Sequence, residues 1–241
     1  MEELIQKLVL WIKQQVHDAG CKGALLGLSG GIDSAVVAVL CKKAFPQNTL
    51  GVMLPCHSNE ADMADAKALT TKFDIETTTV VLDSIHDSLM AAITLPDTVD
   101  EKKQKLALAN LKPRLRMTSL YYIANQLNYL VVGTSNKSEL TVGYYTKYGD
   151  GGADIIPMGN LVKGQVRELA VHLGIPQQII DKPPSAGLWS GQTDETEMGV
   201  TYDELDTYIT CGEGDEQVCK QIETMVKTSA HKRKPAPIPP V

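Results

Sequence analysis

Ala24-Leu25-Leu26-Gly27-Leu28-Ser29-Gly30-Gly31-Ile32-Asp33-Ser34-Ala35-Val36-Val37-Ala38-Val39-Leu40 decides how the rest of the chain is read. The run up to Leu28 is short and apolar without alternation, as in a strand buried on both faces. Ser29, Gly30 and Gly31 then make a turn free of bulky side chains, and residues 35–40 read as a helix ending before Pro46. Such a turn lets backbone N–H groups face an anion, and the helix that follows adds its positive end. The hydroxyls of Ser29 and Ser34 add donors. The stretch matches neither G-x-x-x-x-G-K-[ST] nor G-x-G-x-x-G. Taken alone, it is equally a tight turn in which Asp33 caps the helix.

The same cycle recurs outward from this stretch. Leu4, Ile5, Leu8, Val9, Ile12 and Val16 repeat at helical spacing until Gly20. Residues 50–54 read as a strand, Asn59 as the cap of a helix over 60–72, and residues 77–82 as a further strand. This alternation implies crossover helices on a parallel sheet, an α/β fold with a doubly wound sheet flanked by helices. Residues 100–128 read as helical, with Pro113 expected to break or restart the helix. Residues 129–133 (YLVVG) form another buried strand. Residues 134–160 then turn to Gly, Thr, Asp and Tyr. Residues 161–173 read as a helix ending at Gly174, and 182–200 form a long polar stretch of the kind that carries function in compact domains. No repeat or linker divides the chain. The expectation is one domain over 1–241, with a lid loop and a small helical extension in 181–241.

Composition narrows the function classes. The chain has 241 residues, 23 Lys+Arg against 29 Asp+Glu, and a formal charge of -6. The 43% hydrophobic and 22% charged shares are those of a globular protein, not a disordered or collagen-like one. Apolar runs are far short of the ~20 residues that span a bilayer. The opening MEELIQKLVLWIKQQ lacks the basic region and small-residue cleavage site of a secretory signal. The five cysteines contain no CxxC pair, which fits reduced thiols in a cytoplasmic protein and neither a zinc ribbon nor a disulfide scaffold. Mild acidity argues against general nucleic-acid binding, so an anionic ligand needs locally supplied positive charge.

The spacing Ser29-Gly30-Gly31-x-Asp33-Ser34 resembles the SGGxDS pyrophosphate loop of the ATP pyrophosphatase superfamily. Further stretches narrow the resemblance: NLKPRLRM (110–117), GTSNKSE (133–139), the Gly143…Thr146-Lys147-Tyr148-Gly149-Asp150 segment with Asp154, KPPSAGLWSGQTDE (182–195) and His231-Lys232-Arg233. Together they resemble the NAD synthetase family over nearly the whole chain. The sequence departs from the family at Pro113, where a small helix-compatible residue is expected, and at Ser185, where many members carry Thr. The length leaves no room for a nitrilase-type glutaminase domain, which points to the ammonia-dependent branch.

What the resemblance implies is specific. ATP would lie on Gly27, Leu28, Ser29, Gly30, Gly31, Ile32, Asp33 and Ser34, with Thr134, Lys163 and Ser185. Asp33 and Glu139, as hard oxygen ligands, would hold Mg²⁺ against the phosphates. Arg114, Lys147, Asp154, His231 and Lys232 match positions that bind deamido-NAD⁺. Asp150 is a candidate for guiding ammonium or equally a turn residue, and Trp189 for packing on a base or equally for anchoring the loop. No residue is assigned as nucleophile or base, because an acyl-adenylate is itself the activated species. The apolar stripe of the N-terminal helix, including Trp11, reads as core packing, or by resemblance as part of a homodimer. The competing readings are another pyrophosphate-loop enzyme, such as a GMP synthetase core or a tRNA thiolase, and an ATP-binding module without turnover.

Overall fold

The computed structural model describes residues 1–94, 100–185, 187 and 191–240. Trp189 lies outside them. A parallel sheet is built from β1 (Gly23–Gly27), β2 (Thr49–Met53), β3 (Glu76–Thr79) and β4 (Tyr129–Val131), in the order β3-β2-β1-β4. Register pairs Leu25 with Leu50 on one side and with Val131 on the other. β1 is therefore interior to the sheet and its first four residues are buried, as its unbroken apolar run requires.

Alternate residues of β1 feed two cores. Ala24, Leu26 and Leu28 point to the face covered by α1 (Glu2–Asp18), α2 (Ile32–Ala44), α3 (Glu60–Phe73) and, beyond the sheet, α7 (Lys163–Leu173). Leu25 points the other way, to Leu50, Val52 and Ala124 of α5 (Glu101–Leu127). The stripe of α1 is core packing: Ile5, Ile12 and Val16 are buried, while Trp11 remains 40% exposed. A third core joins Val142 of α6 (Lys137–Val142) to Met198 of α9 (Asp194–Met198), Tyr202 and Leu205 of α10 (Tyr202–Cys211) and Ile222 of α11 (Glu216–Thr228). A short α8 (Gln177–Ile180) links α7 to the segment before α9.

Two expectations are corrected. Pro113 neither breaks nor restarts the helix; α5 runs unbroken past it. Pro removes one i→i−4 donor, but Pro113 is buried and close to Gly149, so tertiary packing supports the turn it disturbs. The strand expected over 77–82 ends at Thr79, and α4 (Asp83–Ala92) begins soon after Leu82. Val80 N–H still donates to Met53 O at 2.9 Å and Leu82 N–H to Pro55 O at 2.8 Å, but the paired register of β3 stops at Thr79.

Candidate active site

From β1 the chain winds one way to β2 and β3, and β4 pairs on the other side of β1. The crevice beyond the C-terminal ends of β1 and β4 is thus the topological switch point, where doubly wound sheets bind ligands. The Ser29–Ser34 turn leaves β1 there, and Thr134–Glu139 leaves β4 beside it.

The glycine turn is held by its own hydroxyls. Ser34 Oγ donates to Gly31 O at 2.9 Å and lies 3.0 Å from Ser29 Oγ, and Gly31 N–H donates to Ser29 Oγ at 3.3 Å. Gly30 has φ +76°, and a Cβ there would meet Asp62 O at 2.2 Å, so only glycine fits. The cap of α2 is Gly31, which has no side chain to bond the first-turn donors. Asp33 is therefore not the cap the turn-only reading expects. Its carboxylate turns into the crevice, where Oδ1 accepts from Asn136 Nδ2 at 2.9 Å and Oδ2 pairs with Lys163 Nζ.

Glu139 arrives by a different device. Asn136 caps α6 by accepting from Glu139 N–H at 3.0 Å, while Glu139 Oε2 accepts from Asn136 N–H at 3.2 Å. This capping box aims Glu139 Oε1 at Lys163 Nζ, 3.5 Å away. Asn136 therefore orients both Asp33 and Glu139, which are 103 and 3 residues from it in sequence.

Lys163 opens α7 with its side chain 1% exposed. Burial alone would lower its pKa, but the charges of Asp33 and Glu139 outweigh burial and raise it. The α7 N-terminus is capped from outside. Asp206 of α10 accepts from Gly164 N–H at 2.7 Å, and Ser138 Oγ accepts from Lys163 N–H at 3.1 Å while donating to Asp206. Tyr202 closes the site: Lys163 Nζ lies 4.8 Å from its ring centroid, and its hydroxyl donates to Asp194 Oδ2 at 3.0 Å.

The charges do not balance. Asp33, Glu139 and Asp194 surround one ammonium. Burial first, and then the charge of Asp33, push the Glu139 carboxyl up to about 8, with Lys163 working against them. Burial likewise raises the Asp194 carboxyl. Asp194 Oδ1 is buried and has no hydrogen-bond partner among the described residues. An excess of buried oxygen donors around one cation is a site to which a second cation can be added.

The remaining sequence-predicted residues that make side-chain bonds fall in three places. Lys147 Nζ donates to His231 O at 2.8 Å, Arg114 Nε to Lys147 O at 3.4 Å, and Lys232 Nζ to Gly143 O and Tyr145 O at 2.8 and 2.7 Å. The basic tail is thus docked on the 143–147 loop. Asp150 Oδ1 accepts from Thr146 N–H at 2.9 Å, which shapes the same loop. Asp154 braces β4: Oδ1 accepts from Tyr121 at 2.9 Å and Oδ2 from Val131 N–H at 2.8 Å. Ser185 Oγ accepts from Gly187 N–H at 3.1 Å, three residues after Lys182, whose Nζ bonds Asp62 and Asp65 of α3 at 2.5 and 2.7 Å. Sequence reading missed Asn136, Asp194, Tyr202 and Asp206. The N-x-x-E spacing of Asn136 and Glu139 was a legible signal, and Asp194 lay within the quoted 182–195 stretch; Tyr202 and Asp206 are recruited by the third core and carried none.

The chain matches the NAD synthase family over residues 4–236, and it belongs to that family. It is 49% identical over 238 residues to the NH(3)-dependent NAD(+) synthetase of Carboxydothermus hydrogenoformans, covering 99% of this chain and 97% of that relative. Among solved structures it is similar to the NMN synthetase of Francisella tularensis, with 40% identity, a TM-score of 0.92, and 99% and 98% of the two chains covered. It is also similar to the NH3-dependent NAD synthetase of Campylobacter jejuni, with 30% identity, a TM-score of 0.83, and 99% of each chain covered.

Proposed function

We propose that the chain amidates the nicotinate carboxylate of deamido-NAD⁺ with ammonia, splitting ATP to AMP and pyrophosphate. The observation that carries this reading is the cluster of Asp33, Glu139 and Lys163 held by Asn136 at the switch point, directly after the glycine turn. A carboxylate is a poor electrophile because ammonia would have to expel oxide. Attack of the carboxylate oxygen on the α-phosphorus of ATP, with loss of pyrophosphate, gives an acyl-adenylate. The lone pair of ammonia then forms the C–N bond and AMP leaves.

Both reactants of the first step are anions, so the chain must supply positive potential at their meeting point. The turn offers the open N-terminal donors of α2 to the β- and γ-phosphates, and Lys163 holds its charge beside them. The surplus carboxylate oxygens of Asp33 and Glu139 fit Mg²⁺, which when bound would draw charge from the phosphates. Thr134 and Ser185 supply hydroxyls to ATP. Arg114, Lys147, His231 and Lys232 gather on the 143–147 loop and suit the dinucleotide's anionic groups, Arg114 through its planar fork. Asp154 would reach a ribose hydroxyl through a second lone pair, and Asp150 stands on the loop that would guide ammonium. The 182–200 segment, tied to α3 through Lys182, is suited to shielding the adenylate from water.

The whole chain acts as one domain in this reading, as a cytoplasmic homodimer. The apolar row Ile85 and Leu89 on α4, 49% and 37% exposed, with Ile93 beyond it, supports the dimer. A second reading, amidation of the mononucleotide, draws on the NMN synthetase likeness. Full chain with Mg²⁺, ATP and ammonium is expected to release AMP and pyrophosphate with deamido-NAD⁺. Faster turnover with nicotinate mononucleotide favours the second reading, and release with neither substrate refutes both. Glutamine in place of ammonium is expected to yield no product.

A further inference from the structure

A second cluster lies outside this site, between the loop after β2 and helix α4. We propose that His57, His86 and Asp87 form a binding site for a divalent transition ion of the zinc class. His57 Nε2 lies 2.8 Å and His86 Nδ1 3.1 Å from the same oxygen, Asp87 Oδ1, and the three ligand atoms lie within 4.8 Å of one another. Imidazole nitrogen and carboxylate oxygen are the donor types that zinc takes. Bonds of about 2.0–2.2 Å in a tetrahedron put neighbouring ligand atoms about 3.3–3.6 Å apart. The two measured edges need to open by roughly half an ångström and the third to close around the ion. The Asp87 side chain is 62% exposed and free to make that shift.

The cluster is prepared on its protein side. His86 is 8% exposed and fixed on α4, and its ring stands edge to face with that of His57 at 5.4 Å between centroids. His57 is held at φ +50°, a conformation rare outside glycine, by its N–H donating to Asp83 Oδ1 at 2.6 Å. Its loop is fixed further by Arg116, which donates to Leu54 O at 3.0 Å and Ser58 Oγ at 3.1 Å. The open side faces solvent through His57 and Asp87, so water completes the coordination. A bound ion would tie the loop at the end of β2 to α4.

The test is calorimetric titration of the full chain with Zn²⁺ alone in excess Mg²⁺, with Co²⁺ absorption as the spectroscopic readout. One ion per chain is expected, with a raised thermal midpoint on Zn²⁺ addition and Co²⁺ bands of a nitrogen and oxygen ligand set. His57→Ala and Asp87→Asn alter exposed side chains; each is expected to weaken binding at least tenfold and abolish the thermal shift while keeping the metal-free midpoint. Binding equal to wild type in both variants overturns the proposal. So does absence of binding in the wild type, or a thiolate Co²⁺ spectrum that disappears on cysteine alkylation.

Discussion

Glu139 shows how one residue carries the electrostatics of the site. Its carboxyl, pushed up from 4.5 to about 8 by burial and Asp33, keeps in the folded state a proton it releases when unfolded between those values. The native state then binds more protons than the unfolded state, so this group makes stability fall as pH rises from about 4.5 to about 8. Glu139→Gln is expected to flatten that slope in urea denaturation across the window and to leave the ligand-free protein at least as stable at its upper end. The same variant is expected to slow AMP formation on the order of 10²–10³-fold, since it removes a carboxylate oxygen that would hold Mg²⁺ against the phosphates. Lys163→Met has the opposite stability sign. It leaves Asp33 and Glu139 without their ammonium, at a cost of about 3–5 kcal/mol for a broken buried pair. That loss, read from denaturation midpoints, is expected to shrink in acid as the carboxylates become neutral.

At the scale of elements, two helix starts set the geometry. α7 begins under Asp206 and Ser138, so the position of Lys163 depends on a cap supplied by α10. Asp206→Ala is expected to cost about 1–2 kcal/mol as a lost cap and to raise KM for ATP, measured by denaturation and initial rates. α2 begins at a turn whose Gly30 has no room for a Cβ against Asp62 O. Gly30→Ala is expected to destabilise by about 1–3 kcal/mol through backbone strain and to lose ATP binding in a calorimetric titration. Sequence reading located both helices because their signals are local: a glycine turn before one, a Gly stop after the other. It misjudged α5 because the penalty of Pro113 is local while its compensation, packing near Gly149, comes from 36 residues away. It missed α4 because the strand-like Val80-Val81-Leu82 masks the turn into Asp83.

For the molecule as a whole, the exposed apolar row of α4 is expected to be covered in a dimer; sedimentation equilibrium of the wild type against Ile85→Glu tests this, with a monomeric wild type as the contrary result. Strand and helix alternation, the buried central strand and the glycine turn were readable along the chain, because period and turn chemistry are properties of neighbouring residues; Asp33 and Glu139 were singled out by the family resemblance, since a lone acid in a turn or loop carries no local signal of its own. The order β3-β2-β1-β4 was not, nor was the meeting of Asn136 with Asp33 and of Lys163 with both acids. Those depend on which strand pairs with β1 and on a third core that delivers Asp194, Tyr202 and Asp206 to the crevice. Local sequence specifies which elements form; the burial of their apolar faces against one another decides which charges end up sharing a dry site.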